Sequence, residues 1–140
     1  MAAEIYPDSA PFTDWMGVAL LSSAPGEVLL KLTQRCELNN RRSVIHGGAL
    51  ATLLDSAMAR AARTLEAGME LGGTIDLHVQ FMQPASGTVT AKGTVTSAGY
   101  KLAFCHGEVR DEANTLIAIA TATIRLRRLV SSVQEGIALN

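Results

Sequence analysis

The sequence predicts an α+β domain in which an antiparallel sheet of five or six strands wraps around one long central helix. Three observations carry this expectation. Between His46 and about Ala67, the residues Leu50, Leu53, Leu54, Ala57, Met58, Ala61, Ala62 and Leu65 recur at steps of three and four. That spacing puts side chains on one face of a helix. On both sides of this stretch apolar residues alternate singly with polar ones, the period of a half-buried strand. Turn residues interrupt the alternating runs roughly every dozen positions, as in antiparallel strands joined by short turns.

Pro7-Asp8-Ser9-Ala10-Pro11-Phe12 supplies a cap and a proline suited to a first helical turn, and Gly17 after Trp15-Met16 stops that short helix. Val18 to Leu21 reads as a strand that pairs through the Ala24-Pro25-Gly26 turn with Glu27 to Arg35. In the latter, Val28, Leu30 and Leu32 alternate with Lys31, Thr33 and Arg35. The long helix has no proline and no glycine after Gly48, and Gly68 and Gly72-Gly73 are read as its end. Ile75, Leu77, Val79 and Phe81 then alternate with Asp76, His78 and Gln80, which places Asp76 and His78 on the face of Thr74. After the Pro84-Ala85-Ser86-Gly87 turn, Thr88 to Ser97, Leu102 to Arg110 and Thr115 to Leu126 complete an antiparallel meander. Long sheets keep exposed edges, and pairing two copies edge to edge covers them, so at least a dimer is expected.

With 140 residues, the chain is expected to form a single domain, 1–140, with a core at about 9–128 and a flexible tail at about 129–140. Aromatic residues make up 4 %, so the core is aliphatic and alanine-rich, which lets backbones approach closely. Hydrophobic residues reach 48 % without a run of membrane-spanning length. Met1-Ala2-Ala3-Glu4 lacks the basic-then-apolar order of a signal peptide. A cytoplasmic protein with no membrane partner is therefore expected. A net charge of −1 offers no broad basic field for nucleic acid. Cys36 and Cys105 show no CxxC spacing and read as two free thiols. His46, His78, Cys36 and Asp55 have no ligand spacing, and neither a metal nor another cofactor is expected.

The chemistry concentrates at Ile45-His46-Gly47-Gly48-Ala49-Leu50 and at Asp55. The first amides of a helix are unpaired and sit at the positive end of its dipole, and two glycines leave them uncovered. Such a start can polarise an oxygen, and a carboxylate can supply the base or nucleophile that attacks a carbonyl. Asp55 lies nine residues beyond His46. It is therefore about 13 Å along the axis and, at about 100° per residue, on the opposite side of the helix. Either the acid of one site comes from a second copy of the chain, or the two features share no site. Simpler roles exist for each: close packing for Gly47-Gly48, a cap for His46, and solvation or pairing with Arg60 for Asp55.

Asn40, His46-Gly47-Gly48 and Asp55 together resemble the motif of hotdog-fold acyl-CoA thioesterases of the phenylacetate-degradation (PaaI) type. The likeness continues through Gly73-Thr74-Ile75-Asp76-Leu77-His78-Val79-Gln80-Phe81-Met82-Gln83-Pro84-Ala85, Tyr100-Lys101-Leu102-Ala103-Phe104 and Ala118-Ile119-Ala120-Thr121-Ala122-Thr123. It spans about Ser9 to Arg128. The resemblance implies that the Gly47 N–H polarises the thioester carbonyl while His46 and Asn40 orient that end of the site. It implies that Asp55 of the partner chain acts as general base or as nucleophile, and that Thr74 holds the attacking water. It further implies an acyl-CoA substrate with an aryl-acetyl or medium-chain acyl group, CoA entering only as part of that substrate. The assembly it implies is a homodimer, often a dimer of dimers.

Weaker signals surround this set. Lys101, Arg125, Arg127 and Arg128 are candidates for the CoA phosphates or a solvated strand end. Phe12, Trp15 and Met16, with Gly48, are candidates to line the acyl pocket or simply cover the core. His78 and His106 read as structural or surface histidines. Two other functions compete: a hotdog enoyl-CoA hydratase or dehydratase, and a hotdog protein that binds acyl-CoA without hydrolysing it. The pairing of Asn40 with Thr74 fits the thioesterase pattern better than the hydratase one, and Asp55 would be superfluous in a mere binder.

Overall fold

The three- and four-residue apolar period closes into one long helix in the computed structural model, which describes residues 10–128. This helix, α2, spans Gly47–Arg63, and Leu50, Leu53, Leu54, Ala57, Met58, Ala61 and Ala62 are buried along it. It is shorter than its apolar pattern suggests. Thr64 caps it, Leu65 is 36 % exposed, and Gly72 and Gly73 lie inside the next strand rather than at the helix end. The Thr64 hydroxyl accepts the Gly26 N–H at 2.7 Å, which ties the end of the helix to the turn of the first hairpin. The short helix α1 (Pro11–Met16) has its proline in the first turn and Gly17 as a left-handed stop at φ 85°. Ala10 is the N-cap and offers no side-chain cap, and Pro7 to Ser9 and the tail at 129–140 lie outside the described residues.

Six strands form one antiparallel sheet: β1 (Ala19–Ala24), β2 (Glu27–Thr33), β3 (Glu70–Phe81), β4 (Thr88–Ala98), β5 (Leu102–Asp111) and β6 (Leu116–Arg127). Their order is β1-β2-β4-β5-β6-β3, which corrects the simple meander. β2 already holds β1 on one side and β4 on the other, so the strand leaving α2 finds a free neighbour only beyond β6. α2 is the crossover that carries it there, packed against the sheet face from β2 to β6. Val28, Leu30 and Leu32 of β2 and Ala118, Ala120, Ala122, Ile124 and Leu126 of β6 form the inner rows under the helix.

Glycine and alanine set the distance between the layers. A Cβ added at Gly93 in the middle of β4 would stand 2.4 Å from the Ala57 carbonyl carbon and oxygen and 2.6 Å from the Met58 nitrogen. These are backbone atoms of α2 and cannot rotate aside. Helix and strand therefore meet backbone to backbone. Gly99, at the end of the same hairpin, has nothing within 4 Å. Gly93→Ala is expected to lower unfolding stability by about 3 kcal/mol, whereas Gly99→Ala should change it by less than about 0.5 kcal/mol. Urea titration followed by circular dichroism reads both.

Both cysteines are free; Cys36 is exposed and Cys105 is buried against α2. Burial pushes the Cys105 thiol up to about 11, so at pH 8 it stays protonated, and the thiolate is the reactive form. Native protein should therefore titrate one thiol per chain with a disulfide dye at pH 8 and two after denaturation. Two fast-reacting thiols in the native state would contradict this packing.

Candidate active site

The start of α2 is organised by a histidine. His46 stands at the N-cap, and its Nδ1 accepts the Gly48 N–H at 2.7 Å. The Ala49 and Leu50 N–H groups turn back to the His46 carbonyl at 2.9 and 3.2 Å. Of the four amides that a helix start leaves open, only that of Gly47 finds no acceptor among the described residues. A neutral imidazole that accepts at Nδ1 carries its proton on Nε2, so His46 offers a donor outward.

Asn40 adds another donor. Its Oδ1 accepts the Arg42 N–H at 2.8 Å and the Val44 N–H at 3.5 Å, closing the turn before the helix. Backbone amides need an oxygen there, so the Asn40 Nδ2 is the atom left over. Asn40, Arg42, Ile45, Gly47, Leu50 and Phe81 help line a cleft of about 440 Å³. A second, of about 450 Å³, is bounded by Asn39, Asn40, Arg41, Arg42 and His46. A smaller apolar cleft of about 180 Å³ runs from Phe12, Trp15 and Met16 to Leu38, His46 and Gly48. The sequence-derived candidates Asn40, His46, Gly47, Gly48, Phe12 and Trp15 are thus neighbours around one helix start.

Asp55 is elsewhere. It is half-buried on α2, and its Oδ1 accepts the Thr74 hydroxyl of β3 at 2.6 Å. Two irregularities in β3 make this contact. The register against β6 slips between Leu71 and Gly73 and again between Thr74 and Asp76. Paired residues share a face, so Leu71, Thr74 and Leu77, opposite Leu126, Ile124 and Ala122, face the helix at intervals of three. Strict alternation would have put Gly73 or Ile75 there instead. The same slips overturn the expectation that Asp76 and His78 share the face of Thr74. They pair with Thr123 and Thr121 on the outer face, where His106 also lies.

β3 links the middle of the helix to its start. Thr74 touches Asp55 near its start, and at its finish Phe81 lies over the helix start, where a Cβ on Gly47 would meet the ring at 3.3 Å. Among the described residues, the other edge of β3 has no strand beside it, and Ile75 and Phe81 are 56 % and 54 % exposed.

The basic candidates on the sheet stand apart from the clefts at Gly47. Arg125 and Arg127 lie on the outer row of β6, opposite Gly73 and Glu70, and the Arg125 stem covers Gly72. Lys101 is exposed in the turn before β5. Arg128 pairs with Glu66 at 2.8 Å and lies over the Tyr100 ring. Sequence reasoning passed over Arg41 and Arg42. Their signal was adjacency to the His-Gly-Gly run, masked because an arginine pair in a loop is ordinarily just solvated. Among the described residues, no group of three His, Cys, Asp or Glu side chains converges as a metal site would require.

Comparison with known proteins agrees with this geometry. Residues 43–118 match the family model described as the thioesterase superfamily. Human acyl-coenzyme A thioesterase 13 is 30 % identical over 98 residues, 69 % of each chain. The medium/long-chain acyl-CoA thioesterase YigI of Escherichia coli is 33 % identical over 99 residues, 61 % of this chain and 64 % of that one. Among solved structures, a mutant form of the phenylacetic acid degradation protein PaaI of Thermus thermophilus superposes with a TM-score of 0.76. It is 27 % identical, over 86 % of this chain and 100 % of that one. The chain belongs to the thioesterase superfamily and has its hotdog fold, which places it among thioester hydrolases.

The cap at His46 can be tested by stability alone. His46→Ala should lower unfolding stability by about 1 kcal/mol, and His46→Asn, whose side chain also caps, should retain most of it. Equal losses in both variants by urea titration would mean that the Nδ1 contact does not stabilise the helix start.

Proposed function

We propose that the chain hydrolyses acyl-CoA thioesters with an aryl-acetyl or medium-chain acyl group, at sites formed between two copies. The observation that carries this reading is the arrangement along β3. N–H donors gather at the start of α2, and an acid held by a hydroxyl sits about two turns along it. Among the described residues, the strand that touches both places has an open edge. Antiparallel pairing of β3 with its own copy reverses direction. The Asp55–Thr74 end of one chain then lies against the Gly47–Phe81 end of the other. The exposed apolar residues of that edge also become covered, the ordinary resolution of a long open edge.

In this site the thioester carbonyl oxygen takes the Gly47 N–H, with the outward donors of His46 and Asn40 beside it. Asp55 of the second chain serves as general base on a water held by the Thr74 hydroxyl. The water oxygen bonds to the carbonyl carbon, its proton passes to Asp55, and the C–S bond breaks to leave the thiolate of CoA. A thiolate leaves readily, so positioning and oxyanion stabilisation suffice, and no cofactor beyond the CoA of the substrate takes part. The apolar cleft at Phe12, Trp15 and Met16 is suited to the acyl group. Likeness to the acyl-CoA thioesterases named above supports the substrate class.

Subunit mixing tests both the chemistry and the assembly. Asp55→Ala should lower kcat by about 10²–10⁴-fold. Gly47→Pro removes the donor but suits a first helical position, and should cost about 10²–10³-fold. A refolded 1:1 mixture of these two inactive variants should regain about a quarter of wild-type activity, because half the dimers contain one intact site of two. No recovery would place both groups within one chain's site, and full activity of Asp55→Ala would remove the carboxylate from the mechanism.

A further inference from the structure

We infer that Arg41 and Arg42 form the clamp for the phosphates of the CoA portion of the substrate, an assignment that rests on the hydrolase reading above and adds its nucleotide subsite. The two arginines occupy a loop built to hold them. Asn40 accepts from the Arg42 and Val44 amides through its side chain and from the Ser43 amide through its carbonyl at 3.1 Å. The Asn40 N–H returns to the Val44 carbonyl at 2.9 Å, and Gln34 Nε2 holds the Ser43 carbonyl at 3.1 Å. Ser43 closes this loop at φ 61°, a left-handed conformation that a side chain adopts at some cost. The loop backbone is thus ordered, and both arginine side chains extend from it into solvent.

Arg41 and Arg42 bound the 450 Å³ cleft together with Asn39, Asn40 and His46, and Arg42 also lines the 440 Å³ cleft that contains Gly47. A thioester polarised at Gly47 therefore has basic side chains in the adjoining space. Its acyl group has the apolar cleft at Phe12 and Trp15 on another side. Among the described residues neither arginine has a carboxylate partner, and Glu37, the acid at the neighbouring cleft, pairs with Arg35 at 3.4 Å. Two free guanidinium groups fit a pyrophosphate or a phosphate monoester through paired N–H donors. The rival cluster is less well placed. Arg125 and Arg127 sit on the sheet face turned away from α2, and Arg128 is held by Glu66.

The test uses the full chain and three thioesters of one acyl group: on CoA, on 3′-dephospho-CoA and on N-acetylcysteamine, which has no nucleotide. The Arg41→Ala/Arg42→Ala variant should raise KM for the CoA ester about tenfold or more with little change in kcat. The ratio of kcat/KM for the CoA ester to that for the N-acetylcysteamine ester should fall by a similar factor. A fall confined to the CoA ester assigns the clamp to the 3′-phosphate, and a fall on both nucleotide esters assigns it to the pyrophosphate. An unchanged ratio overturns the proposal, as does a fall seen instead in Arg125→Ala/Arg127→Ala. If wild-type protein hydrolyses none of the three, the hydrolase reading fails separately. Calorimetric binding of CoA itself then decides the clamp, which predicts affinity at least tenfold weaker in the Arg41/Arg42 variant and is overturned by equal affinities.

Discussion

The backbone contact between α2 and β4 is the constraint on which the rest depends. At Gly93 the helix approaches so closely that not even a methyl group fits between strand and helix. Small residues along the seam, among them Ala57, Ala61 and Ala91, are fully buried, so the layers are locked at short range by dense packing rather than by large side chains. A helix held this way has a fixed axis. Its start lies beside Asn40 and Phe81, and Asp55, about two turns on, meets β3. The start of α2 and its middle are thus held at a fixed separation.

Those two places are chemically unlike. Gly47, His46 and Asn40 present N–H groups, and Glu37, the acid beside them, is paired with Arg35. Asp55 is instead paired with a hydroxyl that can hold water. Were acid and donors adjacent in one chain, the carboxylate would occupy the donors itself. The open edge of β3 runs past both groups, and in the function proposed above pairing of two copies along it brings the halves together and covers exposed apolar surface.

The elements were readable because hydrophobic period reports which face is buried. Val28, Leu30 and Leu32 alternate in sequence and are buried in structure, and Leu50 to Ala62 follow the helical period to the last buried position. The pattern misled where burial was not its cause. Leu65 continues the helical spacing yet lies past the cap at Thr64. Gly72 and Gly73 look like a helix stop, but they serve a strand irregularity. In the site, the glycine pair and Asp55 were visible as a departure from pattern. The place of Arg41 and Arg42 beside the clefts was not visible, because a loop sequence does not say which cleft its residues border.

Local periodicity by itself determined one long helix, its glycine-rich start, the strand set and the divergence of Gly47 from Asp55, since a helix turns a fixed angle per residue. Tertiary structure alone decided the place of β3 at the far edge, because that depended on which strands β2 had already paired. It alone decided the face of Thr74. Alternation assigns that residue by counting, but two slips in the register against β6 changed the count, turned the hydroxyl toward the helix and brought it to Asp55.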